Sequence, residues 1–172
     1  MLQCDAASVS LTDQEIDGFV LTWTSRLVLF AHQWTHSADD VVQDVFLQLY
    51  RLQERPDDVV AWLFKATRNA AISKRRSETA RVRRENAVAV AESVWFQSLD
   101  EDRLDGETAK EKMLELSPEL REVVVARLWG GLTFEQIAAS TDSTRATTRR
   151  RYYEAIELLR NCLGIEKSDG RK

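Results

Sequence analysis

Helix breakers are scarce in this chain: six glycines and two prolines among 172 residues. So few turn-forming residues argue against the many tight turns of a sandwich or barrel and favour long helices. Cysteine is nearly absent too. Cys4 and Cys162 stand near opposite ends, too few for a disulfide framework, and two free thiols are the expected state. No run approaches the roughly 20 apolar residues that span a bilayer, and no basic segment followed by an apolar run opens the chain. These absences point to a soluble protein of the cytoplasm, with no membrane insertion. There is no P-loop, no other glycine-rich phosphate loop and no GxSxG. Histidine is limited to His32 and His36. They lie four apart near Asp39 and Asp40, but Gln33 occupies the place of the zinc-protease glutamate and no third histidine or nearby cysteine completes a set. Neither a metal, a cofactor nor a catalytic group is expected, and an enzyme is the weaker reading.

What the chain does have is an uneven distribution of charge. The net charge is −4, with 44% hydrophobic residues, ordinary for a globular protein with a core. Residues 1–50 contain one basic residue, Arg26, against Asp5, Asp13, Glu15, Asp17, Asp39, Asp40 and Asp44. Then Lys65, Arg68, Lys74, Arg75, Arg76, Arg81, Arg83 and Arg84 crowd together. Acid returns between Glu92 and Glu107, and a second basic cluster, Arg145 with Arg149, Arg150 and Arg151, follows near the C-terminus. Two tight basic patches in an acidic protein suggest two separate contacts with a polyanion.

Helix signals organise the rest. Thr12-Asp13-Gln14-Glu15 fits a capping box, followed by Ile16, Phe19, Val20, Trp23, Leu27 and Phe30 at helical spacing. A second helix is predicted from Ser37–Asp39 to about Glu54, and a third from about Asp57 to Arg76 behind Pro56. Residues 77–112 change character and read as a linker with some helix. Ser117-Pro118 pairs an N-cap with proline at the first helical position, and that helix should stop at Trp129-Gly130-Gly131. Thr133-Phe134-Glu135-Gln136 is another capping box, opening a short helix to about Ser140.

Short helix, turn and longer helix make a helix-turn-helix. On a helical wheel Thr148, Tyr152, Ala155, Ile156 and Leu159 share one side, expected to pack on Val123, Val124, Leu128, Phe134 and Ile137. Arg145, Ala146, Arg149, Arg150 and Tyr153 share the other. That half of the second helix is the part that enters a DNA major groove in this motif. Arginine can read guanine or hold phosphate. Ala146 and Thr147 let the backbone come close, the helix N-terminus favours phosphate, and Arg151 sits at the flank.

Two further stretches carry patterns. In 39–50, Val41, Val42, Val45, Phe46, Leu49 and Leu52 form an apolar face. Opposite them Asp40, Gln43, Asp44 and Arg51 surround Leu47, an apolar residue ringed by carboxylates, which suits docking of a basic helix. In 61–76, Leu63, Ala66, Thr67 and Ala70 face inward, while Lys65, Arg68, Asn69, Ile72, Arg75 and Arg76 face out. A basic strip with an amide and flanking aromatics suits a DNA strand, paired or single.

Taken in order, Ala38 to Leu47, Ala61-Trp62-Leu63 through Arg68-Asn69-Ala70-Ala71-Ile72, Leu116 to Val123, Gly131 to Ala138 and Thr147 to Arg151 resemble the bacterial RNA polymerase sigma factors of the extracytoplasmic-function group, over about residues 14–161. The resemblance implies an all-α fold of two small helical domains: region 2 at 10–85, an acidic linker at 86–111, region 4 with the helix-turn-helix at 112–162, and a flexible tail at 163–172. It implies that Asp40, Gln43, Asp44 and Leu47 dock on the β′ clamp helices of core RNA polymerase, and that region 4 meets the β flap. Lys65, Arg68, Asn69, Lys74, Arg75 and Arg76 would hold the promoter −10 element. Thr144, Arg145, Ala146, Thr147, Arg149, Arg150 and Arg151 would contact the −35 element. The linker would thread the polymerase cleft, and an anti-sigma factor is left open as a further partner. The sequence departs from the family pattern at Asp142 and Ser143, where the turn usually has Gly and an apolar residue, and at Thr148 and Arg145, which stand for aliphatics. The rival is a free-standing helix-turn-helix regulator, which would need a dimer interface; no heptad zipper is present.

Overall fold

The computed structural model describes residues 10–84 and 112–162, and every regular element among them is helical. They belong to two compact units, residues 1–93 and 94–172.

In the first unit α1 spans Asp13–Ala31. Its capping box closes as the sequence predicts: the Thr12 hydroxyl accepts from the Glu15 N–H, and the Glu15 carboxylate accepts from the Thr12 N–H. The Thr12 N–H, the Arg55 guanidinium and the Thr12 hydroxyl, in that order, hold the Glu15 carboxyl down at about 2. Helix α2 spans Ala38–Tyr50, stopping short of the predicted Glu54. The Arg51 N–H reaches the carbonyls of both Leu47 and Gln48, and the Leu52 N–H bonds to Leu49, a tightened last turn that ends the helix. Helix α3 spans Val59–Arg84, with Asp58 accepting from the Ala61 N–H at 2.9 Å as its cap.

The three helices pack on one another around Leu27, Phe30, Val42, Val45, Leu49, Leu63 and Phe64, all but removed from water. Phe30 and Phe64 meet edge to face at 4.9 Å, and Trp23 closes on Phe64 at 6.1 Å. Burying each large side chain of this kind contributes roughly 1.5–3 kcal/mol.

Helix α3 runs on past Arg76, where the sequence reading had placed the start of a linker. The cause lies far off in the chain. Thr35 Oγ1 donates to the Glu78 carboxylate at 3.1 and 3.2 Å, and Ser37 Oγ donates to it at 3.1 Å. These bonds tie the extension to the α1–α2 connection. The rest of the predicted linker, 85–111, and the predicted tail, 163–172, lie outside the described residues, as does Cys4. Cys162 is a free, exposed thiol.

In the second unit a helical turn at 112–115 precedes α4 (Pro118–Leu128). Arg121 donates to the carbonyls of Met113, Leu114 and Leu116 at 2.8–3.0 Å, fastening that turn to α4. Helix α4 begins at the predicted Ser117-Pro118 cap, the Ser117 hydroxyl accepting from the Leu120 N–H. It ends at the glycine pair, where Gly131 takes φ 70, a left-handed conformation that a Cβ disfavours. Helices α5 (Phe134–Ser140) and α6 (Arg145–Cys162) follow, and both pack on α4 and on each other.

The α5–α6 turn is a Schellman motif. Asp142 adopts φ 50 and the Ser143 N–H bonds back to the Ala138 carbonyl at 2.9 Å. Aspartate therefore serves where glycine is usual, because a short polar side chain tolerates this conformation better than most.

Candidate functional site

Three exposed helix faces carry the residues singled out in the sequence. The first is on α2. Its apolar side, Val41, Val42, Val45, Phe46 and Leu49, is buried, at 9% exposure or less. Anchored on that side, the helix must turn Asp40, Gln43, Asp44 and Leu47 to solvent, and all four are exposed. Leu47 is 51% exposed and Tyr50, one turn on, 61%. The two make an apolar strip bordered by Asp40 and Asp44, extended by Tyr50 beyond what the sequence reading assigned. The i,i+3 spacing of Leu47 and Tyr50 on a helix was the available signal.

The second face is on α3. Asn69, Arg75 and Arg76 are exposed, as expected. Lys65, Arg68, Lys74 and Ile72 are half-buried, so the strip is narrower than the wheel implied. Among the flanking aromatics, Phe64 is fully buried and belongs to the core; Trp62 stays half-exposed. Phe64 must fill the space between Phe30 and Trp23, which leaves no ring face for a base. Thr67 is fully buried, its hydroxyl without a partner.

The third face is on α6. Arg145, Ala146, Arg149, Arg150 and Tyr153 are exposed, and Thr147 and Arg151 half-buried. Thr148 and Ala155 are fully buried beneath them. Thr144 caps the helix: its hydroxyl accepts from the Thr147 N–H at 3.2 Å and donates to Thr147 Oγ1 at 3.0 Å. Tyr152 packs edge-on to Phe134 at 5.5 Å, while Val123, Val124 and Ile137 are buried as expected. Leu128 is not: it is 53% exposed. Arg145 Nε pairs with Glu135 Oε1 at 2.6 Å, and the Arg149 guanidinium lies 5.6 Å over the Tyr153 ring. No local signal in the sequence links Glu135 to this face, because its partner Arg145 stands across the turn.

His32 is half-buried and His36 exposed, and among the described residues no group of histidine, cysteine or carboxylate side chains is arranged to hold a metal. No described helix is long and apolar enough to cross a membrane.

The geometry thus offers an acid-bordered apolar strip and a basic strip in one unit, and an arginine-bearing helix-turn-helix in the other. Comparison with known proteins follows the same division. Residues 18–81 match the Sigma-70 region 2 family and residues 113–161 the Sigma-70, region 4 family. The chain is 29% identical over 142 residues to the ECF RNA polymerase sigma factor SigK of Mycobacterium sp. (strain JLS), spanning 74% of this chain and 70% of the relative. It is 29% identical over 137 residues to SigK of Mycolicibacterium vanbaalenii, spanning 74% and 69%. Among solved structures it resembles the sigma factor RpoE in complex with the anti-sigma factor NepR from Bartonella quintana. The TM-score is 0.73 at 25% identity, over 90% of this chain and 99% of that one.

Proposed function

We infer that this chain, which belongs to the extracytoplasmic-function group of RNA polymerase sigma factors, binds core polymerase and directs promoter recognition and opening in transcription initiation. Sigma factors are initiation factors rather than catalysts, and we extend this to the chain itself: the polymerase makes the bonds, and the protein contributes binding alone, in the cytoplasm.

The observation that carries this reading is the pairing, in one chain, of the region 2 and region 4 matches, in order, with faces suited to each task. On α2, Leu47 and Tyr50 between carboxylates would take a basic helix of the β′ clamp, with Asp40, Gln43 and Asp44 around them. On α3, Asn69, Arg75 and Arg76, with the half-buried Lys65, Arg68 and Lys74, would follow the −10 strand. On α6, Arg145, Arg149, Arg150 and Arg151 would meet the −35 element, with Ala146 and Thr147 admitting close approach and Thr144 fixing the helix start. We assign region 2 to residues 10–85 and region 4, which would meet the β flap, to 112–162, with 86–111 between them. RpoE is held by an anti-sigma factor in its complex, and a partner of that kind completes the proposed set.

The test is co-elution of the purified protein with bacterial core polymerase on gel filtration, with and without Leu47→Glu. Wild-type protein should co-elute and the variant should not, at unchanged helix content. A wild-type protein that fails to bind a cognate core would leave a free-standing DNA-binding regulator as the better account.

A further inference from the structure

We propose that Glu135 and Tyr153 are positioning residues that make Arg145 and Arg149 base readers, leaving Arg150 and Arg151 to hold phosphates. The inference rests on the reading of α6 as the −35 helix and divides its arginines into two kinds.

Arg145 is the first residue of α6. A cation there lies at the positive end of the helix dipole, so helix stability does not explain it. Glu135, on α5, compensates by pairing with its Nε at 2.6 Å. The pair is exposed, 68% and 60% for the two side chains, and such pairs add little to stability. Its consequence is orientation. With the Nε edge committed to Glu135, the guanidinium offers its terminal nitrogens outward, the edge that pairs bidentately with guanine. The carboxylate also repels phosphates, which keeps Arg145 from collapsing onto the backbone.

Arg149 stands one turn further along the same face. Its guanidinium sits over Tyr153, and Tyr153 is held in turn by Phe134 at 6.5 Å and Tyr152 at 5.5 Å. Phe134 is covered by the Arg127 guanidinium at 4.9 Å. A chain of ring contacts therefore runs from the end of α4 to the reading face. An arginine already ordered loses less side-chain freedom on binding a base, and can discriminate between bases more sharply. Among the described residues no ion pair or ring contact holds Arg150 or Arg151 in this way, as suits side chains that follow a phosphate wherever it lies.

The experiment uses holoenzyme assembled from the full chain and core polymerase, selected on a pool of duplexes randomised over 30 base pairs and read by sequencing. Glu135→Gln should flatten the preference at one base pair of the upstream element by about tenfold, without weakening total DNA binding. Tyr153→Leu should flatten a different position about as much, and Tyr153→Phe, which keeps the ring, should retain it. Arg150→Ala should lower affinity for all sequences alike and reduce the slope of log affinity against log salt by about 1. A wild-type upstream preference left intact by Glu135→Gln and Tyr153→Leu would overturn the proposal alone. An upstream preference absent in the wild type would overturn the reading of α6 as well.

Discussion

Helices α2 and α6 each carry a proposed binding face, but they are held in place in opposite ways. Helix α2 buries Ala38, Val41, Val42, Val45, Phe46 and Leu49, six of its 13 residues; α6 fully buries only Thr148 and Ala155 of 18. A wide apolar stripe fixes α2 by hydrophobic burial, and its outer face can be anything water tolerates, including an apolar patch for a partner. Helix α6 has little to bury. Its start is fixed by the Thr144 cap and the Asp142 turn, its middle by Tyr152 against Phe134. A helix held by caps and ring contacts can give most of its surface to polar contacts, as a DNA-reading element must.

Mutation should separate the two designs. The largest effect is expected within α2, where neighbouring residues behave oppositely. Phe46→Ala should destabilise the first unit by about 3–5 kcal/mol, seen as a lower denaturation midpoint. Leu47→Glu should leave that midpoint in place and weaken core binding by at least roughly 30-fold, the range of an interface hot spot. If Leu47→Glu unfolds the unit instead, the exposed strip is part of the core and the contrast fails.

Next in size is Arg149→Ala. It should lower transcription from a cognate promoter by about tenfold while core binding stays unchanged, checked by run-off assay beside gel filtration. Equal loss in both assays would mean that α6 is held by this residue rather than displaying it.

Smaller again is Thr148→Val. Thr148 is fully buried and its hydroxyl has no partner, and a buried unpaired hydroxyl costs about 1 kcal/mol or more. The valine should raise the melting temperature of the second unit by a few degrees. Thr67→Val should do the same for the first, since Thr67 has the same defect. A gain in one unit alone would show that the other hydroxyl finds a partner in solution.

The smallest effect concerns the two capping boxes. The first uses Glu15 and the second Gln136. Glu15 has its pKa lowered from 4.5 to about 2, so its contribution is fully present above the ordinary carboxyl range and is lost as pH falls towards 2. The amide does not titrate. Between pH 4.5 and 2 the first unit should therefore lose a small stability increment at α1. Glu15→Gln should remove that pH dependence, measured as melting temperature against pH.

Much of this was legible in the chain. Thr12, Ser117 and Thr133 announced their helices, because a cap is a contact between residues three apart. The outward Leu47 and the inward Val42 and Val45 followed from a period of 3.6 residues. Asp142 was legible as a left-handed turn residue even where the family pattern has glycine.

What was not legible depended on residues distant in the chain. The wheel treats every turn of a helix alike, so it exposed Lys65 and Arg68 too fully, left Phe64 free to stack on a base, and buried Leu128. The sequence alone determined the helices, their caps and the faces they present, since those signals act within one or two turns. The tertiary structure alone decided that α3 continues past Arg76, because the hydroxyls that hold Glu78 belong to Thr35 and Ser37. It also decided which arginines of α6 have partners, because Arg145 meets Glu135 across the Asp142 turn.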